Sequence, residues 1–149
     1  LRSSYNELIQ YENWASAVHY FNYNDSTKEV TYRRYIQGFP VFSEISDYGT
    51  TYITVVEDGL SRLQVPLVIA QTPISDVEEL KTLQSGVSVI DALVEHGYDS
   101  SEIDDLKIGY TWTNSTESDR VIKLEPNWYV NINGTWKIAQ RLLLDEGGQ

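Results

Sequence analysis

Two dipeptides constrain this chain more than anything else in it. Asp58-Gly59 and Asn133-Gly134 each stand between two apolar, β-favouring runs. Both pairs suit the positive backbone angles of a type I′ turn, whose twist joins two antiparallel strands directly. Tyr52, Ile53, Val55 and Val56 lead into the first, and residues 60–70 supply the returning strand. Pro66 lies within that return and demands an edge or a bulge there. Residues 128–132 lead into the second, and Trp136 to Leu143 complete the pair.

Further strand texture runs from Glu29 to Phe42, bent at Gly38 and Pro40, and again over residues 106–112 and 120–124. Pro126 is expected to interrupt the chain between the last of these and Trp128. Residues 1–20, best over Ser3 to His19, repeat apolar side chains at three- and four-residue spacing and predict a helix. A second helix starts at an N-cap Ser85, carries a Val87, Ile90, Leu93, Val94 stripe, and closes at Gly97. Residues 99–104 form a short acidic connector, and 145–149 a frayed tail. Hairpins without a strand–helix–strand rhythm predict an α+β fold. It should be one curved antiparallel β-sheet with one or two helices packed on one face. The whole of 1–149 reads as a single domain, its first helix expected to be shared with a missing upstream domain.

The chain of 149 residues holds 22 acids against 11 Lys and Arg, a net charge of −11. That field repels phosphate backbones, so nucleic acid is not an expected partner. No Cys is present, which removes disulfides, thiolate metal sites and thiol catalysis. No Met is present either, and the chain begins at Leu1, as expected of a segment cut from a longer protein. No apolar run approaches the ~20 residues of a membrane-spanning helix.

Reactive constellations are sparse. His19 and His96 are the two histidines; His96 falls in the last turn of the second helix, where the dipole favours a cation. Asp99, Glu102, Asp104 and Asp105 lack the alternating pattern of a calcium loop and read as a solvated connector. Gly59-Leu60-Ser61-Arg62-Leu63 does not complete a nucleophile elbow, and no phosphate-cradling glycine loop occurs. No cofactor, metal ligand set or catalytic group is therefore expected. Asn24, Asn114 and Asn133 open glycosylation-type triplets at turns, where Asn is expected for its conformation alone. Trp112, Trp128 and Trp136 could line a sugar groove, but strand positions favour core packing. Arg33-Arg34 is the one dense basic spot, and strand alternation sends the two side chains to opposite faces. Arg33, Arg34, Tyr35 and Trp112 are the candidate partner-contact residues, chosen by residue type.

The run Glu29-Val-Thr-Tyr-Arg-Arg-Tyr-Ile-Gln-Gly-Phe-Pro-Val-Phe42 resembles the YRxYxxGxPVF segment of YycH proteins. Leu83-Gln-Ser-Gly86, Asp105-Leu-Lys-Ile-Gly-Tyr110 and Leu124-Glu-Pro-Asn-Trp-Tyr-Val130 follow in the order that family shows. The likeness extends over about residues 29–140, and its motifs are structural. It implies the C-terminal extracytoplasmic portion of a membrane-anchored accessory protein from a low-GC Gram-positive bacterium. Such a protein, together with YycI, contacts the WalK (YycG) sensor kinase of the WalK/WalR two-component system and modulates it in cell-wall metabolism. A non-catalytic regulatory, protein-interaction domain is the function so implied. A cell-wall glycan or envelope-ligand binding module with an aromatic groove is the alternative.

Overall fold

The computed structural model describes residues 18–43, 49–56, 59–65, 81–114 and 121–144. Within them run β1 (Val18–Asn24), β2 (Glu29–Ile36), β3 (Phe39–Ser43), β4 (Thr50–Val56) and β5 (Gly59–Gln64). Then follow α1 (Gly86–Glu95), β6 (Ile103–Asn114), β7 (Ile122–Ile132), β8 (Thr135–Ile138) and α2 (Ala139–Leu144). All eight strands belong to one open sheet, in the order β5-β4-β2-β3-β6-β7-β8, with β1 also on β2.

Local chemistry explains the hairpins. Val56 pairs with Gly59, so Gly59, at φ +138°, is the first residue of β5 rather than the turn residue the Asp58-Gly59 reading expected; residues 57–58 lie outside the described residues. Asn133 and Gly134 take φ +50° and +80°, the type I′ geometry, and β8 returns on β7 with Ile132 opposite Thr135. A second turn of that kind, at Gln37-Gly38 with φ +52° and +85°, joins β2 to β3. Asn24 closes the β1–β2 turn by accepting from the Ser26 amide at 3.0 Å and its hydroxyl at 2.6 Å.

The sheet is mixed, not wholly antiparallel as the hairpins alone suggested. Val41 to Ser43 on β3 lie parallel to Tyr110 to Trp112 on β6. Hairpins report only neighbours in sequence, and this pair joins opposite halves of the chain. It unites an antiparallel half, β1 to β5, with a second half built of β6, β7 and β8. Gly109 makes the join possible, because a Cβ there would stand 2.6 Å from the Phe42 ring and 2.8 Å from the Pro40 carbonyl oxygen.

Three local expectations need correction. Val18 and His19 open a strand rather than end a helix, since β-favouring Val18, Tyr20 and Tyr23 pair here with β2; the rest of that expected helix lies outside the described residues. Pro126 does not interrupt the chain. It sits within β7 opposite Tyr110, and β8 pairs only with Tyr129 to Ile132, so among the described strands β7 has a single neighbour at Pro126 and is an edge there, where proline is tolerated. Residues 136–143 are not one strand, because β8 ends at Ile138 and α2 follows. The first half's returning strand is described to Gln64, with a bulge at Ser61; Pro66 and residues 67–70 lie outside the described residues.

Both helices pack on one face of the second half. Val89 and Leu93 of α1 meet Val130 of β7 and Ala139 of α2, with Leu106, Trp128 and Ile132 around them. Ser85 caps α1 by accepting from the Ser88 amide at 3.1 Å, and Gly97 ends it at φ +93°. The buried stripe is thus Val89–Leu93. The expected stripe is rotated, for Val87 and Val94 face outward while Leu93 is fully buried. On the opposite face Phe42, Tyr129 and Ile138 pack with Phe21 and Trp136. A third cluster, Val30, Tyr32 and Ile53, fills the first half.

Candidate interaction surface

Alternation along β2 sends Arg33 inward, where it is buried. Its guanidinium carbon lies 4.5 Å from the Phe21 ring centre and 4.2 Å from that of Phe42. Nη1 donates to the Val41 carbonyl at 2.9 Å. Phe21 is the extra residue of a bulge in β1, between the Tyr20–Tyr32 and Asn22–Thr31 pairs, and it leans toward Arg33. A cation held between two rings away from water is worth about 2 kcal/mol. Arg33 is thereby a packing element at the junction of β1, β2 and β3.

Behind it, Phe42 stacks on Tyr129 with ring centres 3.7 Å apart. The Tyr129 hydroxyl meets Thr111 Oγ1 at 2.6 Å, which accepts from Asn127 Nδ2 at 2.7 Å. Lys81 Nζ donates to Asn127 Oδ1 at 3.1 Å. Tyr129, Thr111 and Asn127 are buried, so each needs these bonds to offset desolvation.

The four expected contact residues are not brought together. Trp112 is 2% exposed and Arg33 9%, so neither side chain offers a partner more than a sliver of surface. Arg34 and Tyr35 are half-buried. The Arg34 backbone N–H donates to the Gly49 carbonyl at 2.7 Å. Tyr35 stands edge-on to His19 with ring centres 5.1 Å apart; burial pushes its phenol above the ordinary value, against the opposing pull of Arg33. Exposed apolar side chains lie elsewhere. Phe39 meets Tyr110 edge-on at 6.0 Å beside the Gln37-Gly38 turn, and Tyr110 donates to Gln37 Oε1 at 3.2 Å. Val87 and Val94 line the outer side of α1. The Gly38-Phe39-Pro40 spacing points to the turn but not to which ring stays outside, whereas the α1 valines were visible as a stripe and given the wrong face.

The other polar groups serve the fold. His96 Nδ1 lies 3.0 Å from the Ala92 carbonyl at the end of α1. Asp99 accepts from the Ser101 amide and hydroxyl, each at 2.8 Å, which holds its carboxyl below the ordinary value. Asp104 Oδ2 accepts from the Gly134 amide at 3.1 Å, and Asp105 pairs with Lys107. Among the described residues no three His, Asp or Glu side chains converge as a metal site would require. The tryptophans do not share a groove. Trp112 and Trp128 lie on the helix-bearing face, where the Trp128 indole donates to the Gln84 carbonyl at 2.9 Å; Trp136 packs with Phe21 and Phe42 on the other.

The class this defines is an α+β sheet domain whose described polar residues largely brace its own strands and turns. Over residues 1–147 the chain matches the family described as "YycH protein, C-terminal domain", and it belongs to that family. It is 28% identical, over 99% of its length, to the two-component system WalR/WalK regulatory protein YycH of Bacillus subtilis (strain 168). The chain spans 33% of that relative's length. No solved structure matches it.

Proposed function

We propose that this chain is a non-catalytic interaction domain through which a YycH protein helps to modulate the WalK sensor kinase. Its partners are a YycI-like protein, the kinase, and further domains of its own protein. It acts on the outer side of the cell membrane, held there by an anchor elsewhere in the protein. The observation that carries this reading is the match to the YycH C-terminal domain along nearly the whole chain. The relative's description as a WalR/WalK regulatory protein supports the kinase pathway as the target. The internal use of His96, Asp99, Asp104 and Asp105 supports a role in contact rather than reaction. The glycan-binding alternative finds no support in tryptophans divided between two faces of the sheet.

The test is binding of the purified domain to the YycI and WalK outer domains, followed by kinase autophosphorylation in vesicles with full-length YycH. Binding to at least one partner and a change in kinase rate are expected. Failure to bind either, with the rate unchanged, would refute the reading.

A further inference from the structure

We infer that the outer side of α1 is a docking seam for a basic amphipathic helix. This rests on the reading of the chain as an interaction domain and names the surface and the chemistry of what it takes. The helix carries two apolar stripes. Val89 and Leu93 are buried against β7 and α2. Val87, Ile90 and Val94 form a second stripe, spaced as positions a, d and a of a heptad. Val87 is 71% exposed and Val94 44%, and Ile90, half-buried, bridges the two stripes. β-branched residues at the a positions suit side-by-side pairing with another helix. They contribute little to an isolated helix, because branching restricts side-chain freedom there.

Charge selects the occupant. From Gly86 to Leu106 the sequence has no Lys or Arg, yet it holds Asp91, Glu95, Asp99, Glu102, Asp104 and Asp105. Asp91 and Glu95 are exposed beside the valines. A helix with an apolar three-four repeat flanked by Lys or Arg would cover the valines and meet Asp91 and Glu95 beside them. A second copy of this chain would instead set carboxylates against carboxylates.

The isotope-labelled chain, titrated with a synthetic Leu/Lys amphipathic helix and followed by amide NMR, tests this. Saturable shifts confined to α1 are expected, with affinity falling as salt rises. A Val87→Ser/Val94→Ser variant should bind about tenfold more weakly. Both positions are exposed, so its thermal midpoint should match the parent's. Equal binding by a peptide of the same residues reordered to abolish the stripe would overturn the inference. So would undiminished binding by the variant, shifts elsewhere, or a dimer that the two substitutions dissociate. The two readings fail separately. YycI or kinase domains that bind parent and variant equally refute the seam and leave the interaction domain standing. Domains that bind neither refute the interaction domain, and the peptide result then judges the seam alone.

Discussion

Gly109 has no room for a methyl group. A Cβ would press on the Phe42 ring and on the Pro40 carbonyl, and backbone cannot step aside as a flexible side chain can. Gly109→Ala should cost about 1–3 kcal/mol, read as a lowered denaturant midpoint. An isolated glycine in a strand pattern signals close backbone approach or a bulge, and at Gly109 the first of these holds. The inward course of Arg33 was not legible, since alternation separates the two arginines without saying which faces the rings. Glu125 offers a charge-based test. The Lys123 ammonium, 2.6 Å away, holds its carboxyl below the ordinary 4.5. A depressed carboxyl contributes stability above the unfolded value and loses it as pH falls through the folded one. Lys123→Met should therefore move the Glu125 titration upward, visible by carbon NMR. Both groups are partly exposed, so the associated stability is about 0.5 kcal/mol or less.

At the scale of the element, α1 shows what periodicity can and cannot decide. Its start, end and cap follow from Ser85 and Gly97, which act locally and were readable as such. Its orientation did not follow, because two stripes compete for the core and only the position of β7 and α2 selects Val89–Leu93. Leu93→Ala should accordingly cost about 2–5 kcal/mol in chemical denaturation, since Leu93 is fully buried. Ser85→Ala should cost about 1 kcal/mol, the usual loss for an N-cap hydroxyl. A similar competition explains β7. Proline argued for a break, but the residues around Pro126 lie beyond the reach of β8, so the strand is an edge there and continues through the proline.

The molecule as a whole is two sheet halves, each assembled from contacts close in sequence, and the α+β class was readable because hairpins announce themselves. The join was not, for nothing in a turn signals a parallel neighbour from the far half. The join is short, with Val41, Phe42 and Ser43 opposite Tyr110, Thr111 and Trp112. This arrangement sets an order of events in time. Hairpins close on the microsecond scale, whereas the β3–β6 pair must wait until both halves can meet and the intervening loop has closed. The Phe42–Tyr129 stack and the Phe21–Trp136 contact, which cross between the halves, then form late, and substitutions that weaken them should mainly hasten unfolding rather than slow folding. Stopped-flow chevrons of Gly109→Ala and Leu93→Ala would show it, with the effect of Gly109→Ala on the unfolding limb. An effect on the folding limb would mean instead that the join forms first and recruits the hairpins to it.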